Sequence, residues 1–350
     1  MNKNILSVGI TILLLCITVA PLSESKVIEK SDLPILNGNI LYVGGSGEGN
    51  YTSIQDAIDN ATSGDTVLVF DDSSPYYEHI FIDKSVNLIG EKRRSTIIDG
   101  SVSGVVVSIT ADRVTISKFT IQNGGFEYYG GMKVRSNHSI ISENNIISNN
   151  RSGLVLYNSN GNTISSNTIK SNQWSGIILG SSSGNIISDN IIISNDNKGV
   201  TLYSSNNNTI AGNIVSNNEW GINLGGYSKN NTVSGNIVML NEYGIRLYQS
   251  NNNTISKNSI RWNMYGLSLL YSYSTKIMHN NFIRNILQAY FDYYLPDGNS
   301  TNCWNGNFWN RPRILPKPIL GSIYVSPGWR YDPYIEFDRS PALIPNRIGE

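Results

Sequence analysis

GIILGSSSGNIISDNIIISNDNKGVTLYSSNNNTIAGNIVSNNEWGINLG, Gly176 to Gly225, repeats itself. Each copy opens on a glycine, runs through an apolar residue to a leucine, and then carries asparagines at fixed places. Followed outward, the glycine column is Gly131, Gly153, Gly176, Gly199, Gly221, Gly244 and Gly266, with Ala289 in the eighth place, in steps of 22 or 23 residues. Asn144, Asn167, Asn190, Asn213, Asn236, Asn258 and Asn280 form a second column. Five residues later Asn149, Asn172, Asn195, Asn218, Asn241, Asn263 and Asn285 form a third, and Asn162, Asn185, Asn208, Asn231 and Asn253 a shorter fourth. A fixed period of this length marks a solenoid, in which each repeat buries its apolar face only by stacking on its neighbours.

The apolar residues alternate with period two, as in strands. After each glycine, positions +1 (Ile177, Val200, Ile222) and +3 (Leu179, Leu202, Leu224) point to one face. Position +2 (Val155, Ile178, Thr201, Asn223, Arg246, Ser268) points to the other and reads as a solvent face. Two further inward columns are Ile164, Ile187, Ile210, Val233, Ile255, Ile277 and Ile169, Ile192, Val215, Val238, Ile260, Phe282. Three short strands per coil predict an all-β fold, a right-handed parallel β-helix with a dry interior. About ten coils from Val67 to Tyr290, each rising about 4.8 Å, give a rod on the order of 50 Å. Asparagine in columns reads as a structural device: it tolerates left-handed corners, and its amide both donates and accepts along a stack.

The ends differ from the middle, because an open solenoid end exposes apolar side chains and strand edges. Ser53 to Ile58 reads as a capped helix plugging the first coil, with Ile54, Ala57 and Ile58 on one face and Asp56 in the first turn. Seven of the eleven prolines lie from Pro312 onward, which predicts a loop-rich cap. The expected organisation is a signal peptide over 1–25, a linker over 26–39, the β-helix over 40–294 and a C-terminal capping segment over 295–350. Lys3, the apolar run Ile5 to Ala20 and the polar residues after it carry the signal pattern, and the run is short for a membrane span. The mature chain is thus expected to be secreted, cell-surface or periplasmic, without a span. Cys16 leaves with the signal and Cys303 stands alone, so no disulfide is expected. A formal net charge of zero argues against nucleic acid as a partner.

Tyr51 to Glu91 (YTSIQDAIDNATSGDTVLVFDDSSPYYEHIFIDKSVNLIGE), followed by STIIDG (Ser95 to Gly100), resembles the N-terminal cap of the NosD-like, carbohydrate-binding/sugar-hydrolase β-helix family. The coils between Ile40 and Tyr294 resemble that family's repeats. The resemblance implies the fold, and a periplasmic copper-accessory role as one function.

A copper role needs soft or imidazole ligands gathered in one place, whereas His79, His138 and His279 fall in distant coils. Met278 and His279 are adjacent and point to opposite faces. No cofactor pattern emerges. A hydrolase, lyase or epimerase needs paired carboxylates, or a carboxylate beside a base, on one outer face. Glu219 and Glu242 recur in adjacent coils and read as solvated turn charges, and Tyr76-Tyr77-Glu78 echoes a pectin methylesterase motif within the cap. No catalytic or metal residues are assigned. Trp174, Trp220, Tyr243 and Tyr265 follow the ladder asparagines by two residues and form an aromatic stripe, the candidate carbohydrate-binding residues; corner packing is the structural alternative. The expected reading is a non-catalytic exported protein with a polysaccharide or cell-surface glycan as partner, a polysaccharide-active enzyme being the alternative. Eight Asn-x-Ser/Thr sequons add possible glycan sites: Asn50, Asn60, Asn137, Asn150, Asn207, Asn230, Asn252 and Asn299.

Overall fold

A computed structural model describes residues 38–348 apart from 127–128, 295–300 and 326–329. The expected signal peptide and nearly all of the linker lie outside the described residues, as does Asn299. Among the described residues, three long sheets of twelve, ten and twelve strands form the chain's single architecture. Each full coil gives one strand to each sheet: Thr209–Ala211 to the first, Ile214–Ser216 to the second and Trp220–Gly225 to the third. All pairings along the three sheets are parallel except the last. There Lys317–Val325 pairs antiparallel with Arg330–Asp338 and closes the third sheet as a hairpin.

The inward columns stack as their periodicity predicts. Leu179 pairs with Leu202 and Leu202 with Leu224, and all three are fully buried. The two other apolar columns are equally buried down the rod. Glycine recurs because backbones pass closely here: a β-carbon on Gly221 would sit 2.5 Å from the Gly244 carbonyl oxygen.

The asparagine columns differ from expectation in one respect. The ladder asparagines are not the left-handed residues; the residue just before each of them is. Glu143, Ser166 and Asp189 (φ 56° each) precede Asn144, Asn167 and Asn190, and the sequon residues Asn207, Asn230 and Asn252 (φ 56°, 57° and 60°) precede Asn208, Asn231 and Asn253. The ladder asparagine instead turns inward, where a buried amide must find all its partners. Asn213 does so. Its backbone N–H and Nδ2 donate to Asn236 Oδ1 (2.9 and 3.0 Å), Nδ2 also donates to the Ile187 carbonyl (2.9 Å), and its Oδ1 accepts both Asn190 N–H and Asn190 Nδ2.

Both ends are capped chemically. Helix α1 (Ile54–Asn60) buries Ile54, Ala57 and Ile58, with Ser53 as its N-cap and Asp56 in its first turn. Glu78 completes the cap, accepting from Ile54 N–H, Gln55 N–H and Ser53 Oγ at 2.9 to 3.0 Å. Tyr76, buried, donates its hydroxyl to the Phe70 carbonyl (2.8 Å). The Tyr76-Tyr77-Glu78 motif is therefore part of the end cap. At the other end Cys303–Asn305 and Phe308–Trp309 add a coil beyond the last glycine of the repeat, across a longer step. Asn280 passes its ladder to Asn307, and Asn307 donates N–H and Nδ2 to Asp338 Oδ2 (3.0 and 2.9 Å), joined by Trp309 Nε1 (3.0 Å). A carboxylate suits the last rung because it accepts without bringing a donor that would itself need a partner.

Leu202→Ala leaves a cavity in a column with no freedom to collapse and should cost about 2–5 kcal/mol. Chemical denaturation reads it, and an unchanged midpoint would contradict the buried column. Asp338→Leu strands three buried donors, so the last coil should lose roughly 3 kcal/mol or more of local stability. Faster hydrogen exchange at Asn307 and Trp309, with the middle coils unaffected, is the expected signature.

Candidate functional site

The +2 column of the third sheet faces outward, yet it is not a solvent face. Val155, Ile178, Thr201, Asn223 and Ser268 are all buried, Thr201 at 0% and Asn223 at 1% exposure. Side chains flanking the strands fold over them and make two walls of a channel along the rod.

The first wall holds the candidate residues, but not as one stripe. Trp220, Tyr243 and Tyr265 occupy one register position in consecutive strands. Their rings pack on one another: Trp220 meets Tyr243 edge-on (centroids 6.0 Å, 72°), Tyr243 stacks on Tyr265 (4.6 Å, 17°), and Tyr265 meets Tyr290 edge-on (5.7 Å). All are half-buried. Lys198, not Asn197, pairs with Trp220 in the sheet, and Trp174 lies two coils away in a turn, 43% exposed.

The second wall alternates large and small: Tyr157, Gly180, Tyr203, Gly225 and Tyr248 are successive register partners or column neighbours. Each glycine gives the preceding tyrosine somewhere to lie. A β-carbon on Gly180 would meet the Tyr157 ring at 2.9 Å, and one on Gly225 would meet Tyr203 at 3.4 Å. The sequence carries this wall as an alternation of tyrosine and glycine four residues after each repeat glycine, a signal masked because strand alternation alone assigns that face to solvent.

Cations fill the space between the walls. Arg246 is sandwiched between Trp220 and Tyr248, 4.5 and 5.1 Å from their centroids, and donates to Asn223 Oδ1 (3.2 Å), so it closes the channel at that coil. Burial pulls the Arg246 guanidinium below its ordinary pKa and pushes the Tyr243 phenol up. Lys198 lies 4.6 Å from the Trp220 centroid and 5.8 Å from that of Tyr203; Arg151 lies 5.7 Å from that of Trp174. Where Arg246 is replaced by the small Ile178 and Thr201, the channel opens into a cleft of about 250 Å³ with Arg151, Trp174 and Lys198 on one side and Tyr203 on the other.

The remaining candidates for chemistry do not converge. His79 is held by the Val105 carbonyl and Ser103 Oγ. His138 and His279 lie in different corners, against the turn glycines Gly161 and Gly306 of the next coil. Met278 and Cys303 are diagonal neighbours on the outer face of the first sheet. Among the described residues no three His, Cys, Asp or Glu side chains gather as a metal site. Glu219 and Glu242 are exposed, and Glu219 accepts from Asn197 Nδ2 (3.0 Å).

Comparison with known proteins agrees with this architecture. Residues 175–307 match the profile of the right-handed β-helix region. Among solved structures the chain is similar to the mannuronan C-5 epimerase AlgE4 A-module of Azotobacter vinelandii, at 17% identity and a TM-score of 0.57, over 76% of this chain and 94% of that one. It is also similar to the DFA-IIIase of Arthrobacter chlorophenolicus A6, in complex with GF2, at 13% identity and a TM-score of 0.54, over 78% and 86%. Such identities show the fold alone. No curated protein matches by sequence. Among the described residues no helix is long and apolar enough to cross a membrane. The profile described as periplasmic copper-binding protein (NosD) matches residues 58–237, just over half of the 350 residues, and the chain belongs to the NosD family of β-helix proteins.

Proposed function

We propose that this is an exported, non-catalytic β-helix protein that binds an extended polysaccharide along the outer face of the third sheet. The observation that carries the reading is the cleft: an exposed Trp174 opposite Tyr203 over the apolar floor of Ile178, on a rod whose coils repeat at about 4.8 Å. Stiff packing of every coil means that little order has to be gained on binding, which favours affinity for a long, regular ligand. Hydrolysis would call for two carboxylates flanking the bond. The channel floor presents Val155, Ile178, Thr201, Asn223, Arg246, Ser268 and Tyr290, none of which is one. The polysaccharide-active alternative draws on one observation, the desolvated Arg246 beside Tyr243 and Tyr290, and it is separable by product analysis.

A glycan array with the mature protein, run beside an assay for new reducing ends and unsaturated sugars, tests this reading. Binding without product is expected; release of product would replace the binding role with an enzymatic one. Trp174→Ala should weaken binding by about ten-fold with little change in the unfolding midpoint. Trp220→Ala should lower the midpoint as well, since it removes the ring that holds Lys198 and Arg246. Loss of stability in Trp174→Ala with binding intact would leave the ring purely structural.

A further inference from the structure

We propose that the polysaccharide taken by the cleft is a uronan, whose carboxylates are received by Arg151 and Lys198 while a sugar ring lies on Trp174. This rests on the polysaccharide reading and adds the charge of the ligand.

Among the described residues no carboxylate oxygen comes within 4.0 Å of Arg151 or Lys198, and the ion pairs found belong to Lys92 in the N-terminal cap. Instead aromatic rings position both cations. Contact with a ring face leaves most N–H groups of a guanidinium or ammonium unused, and Arg151 spends only its Nε, on the Phe126 carbonyl (3.1 Å).

The spacing also suits a regular polyanion. Arg151 and Lys198 belong to alternate coils, with Trp174 in the coil between. Their charges thus lie about 9.6 Å apart along the rod, twice the coil rise, a span that takes about two rings of an extended chain. Carboxylates of alternate sugars in such a chain face one side. Carboxylate meeting guanidinium or ammonium makes the strong, charge-assisted kind of hydrogen bond.

Titration calorimetry of the mature protein against polygalacturonate, alginate and glucuronan, each beside its methyl ester, tests the proposal; a neutral β-glucan is the further arm. At least one uronan should bind, and its ester, with the same backbone and no charge, about ten-fold more weakly or worse. Raising ionic strength from about 0.05 to about 0.5 M should weaken the acid form and spare the ester. Arg151→Gln with Lys198→Gln should bring the acid form down to the ester's affinity at an unchanged unfolding midpoint, and Lys198→Arg should restore most of it in the single variant. Equal binding of acid and ester, binding of the neutral glucan alone, or acid binding that survives the double variant would overturn the charge assignment and leave the polysaccharide reading standing. No binding in any arm would overturn both.

Discussion

A buried side-chain amide that saturates itself between three coils is the interaction on which this molecule depends. At each corner the backbone must turn without the ladder partners a strand provides, and a buried N–H or carbonyl left unpaired costs roughly 1–3 kcal/mol. The ladder asparagine meets that demand in both directions, accepting the preceding coil's N–H and amide and donating onward to the following one. Its second amide hydrogen reaches a carbonyl of the preceding coil. Because every rung is both satisfied and satisfying, the columns must be continuous, and a break strands groups on both sides. The same logic fixes the chemistry of the end. Asp338 and Glu336, which accepts from Asn302 N–H and Trp304 Nε1 (2.9 and 2.6 Å), finish two ladders as pure acceptors.

The repeat was legible because it lies in residue types that a corner or a core restricts severely. Glycine, asparagine and the β-branched inward columns admit few substitutes, so period and strand face were read correctly from Gly131 to Gly266; the eighth glycine place is held by Gln288 and not Ala289, which pairs with Leu267 one place further on. A further column, Ser159, Ser182, Ser205 and Ser228, hands backbone N–H to the next hydroxyl in the same manner (3.0 to 3.2 Å) and went unread. Serine is too common in this chain to stand out. The left-handed residue is also hidden by its variety: Glu143, Ser166, Asp189, Lys257 and His279 all occupy it, since the position asks only that the neighbouring asparagine hold the turn.

The outer face of the third sheet was misread for a physical reason. Alternation tells which side of a strand a residue faces, not whether something else covers that side. Thr201 and Asn223 look like solvent residues by type, and they bond to each other (2.8 Å) beneath side chains contributed by other coils. Covering depends on contacts between residues roughly 22 apart, such as Lys198 and Trp220, and on the tyrosines lying across Gly180 and Gly225. None of this has a local signature. The structure places the candidate aromatics along this face, and their exposure and mutual packing were not inferable.

Corner length decides where the channel is open. Three residues lie between Asn149, Asn172 and Asn195 and the glycines that follow them; two lie between Asn218, Asn241 and Asn263 and theirs. In the short corners the residue two past the asparagine becomes the first residue of the strand, so Trp220, Tyr243 and Tyr265 enter the sheet and stack tightly. In the long corners that residue stays in the turn, which swings Arg151 and Trp174 outward and leaves Ser175 ahead of its strand and Lys198 at the head of the next. One added residue per coil thus converts a closed aromatic wall into a rim around a cleft. The interior is indifferent to the change, because the ladder asparagine and the glycine on either side of the corner keep their places in both versions. A fold held by its corners in this way can vary one outer corner without loss of register, and the coils from Arg151 to Tyr203 are where this chain has done so.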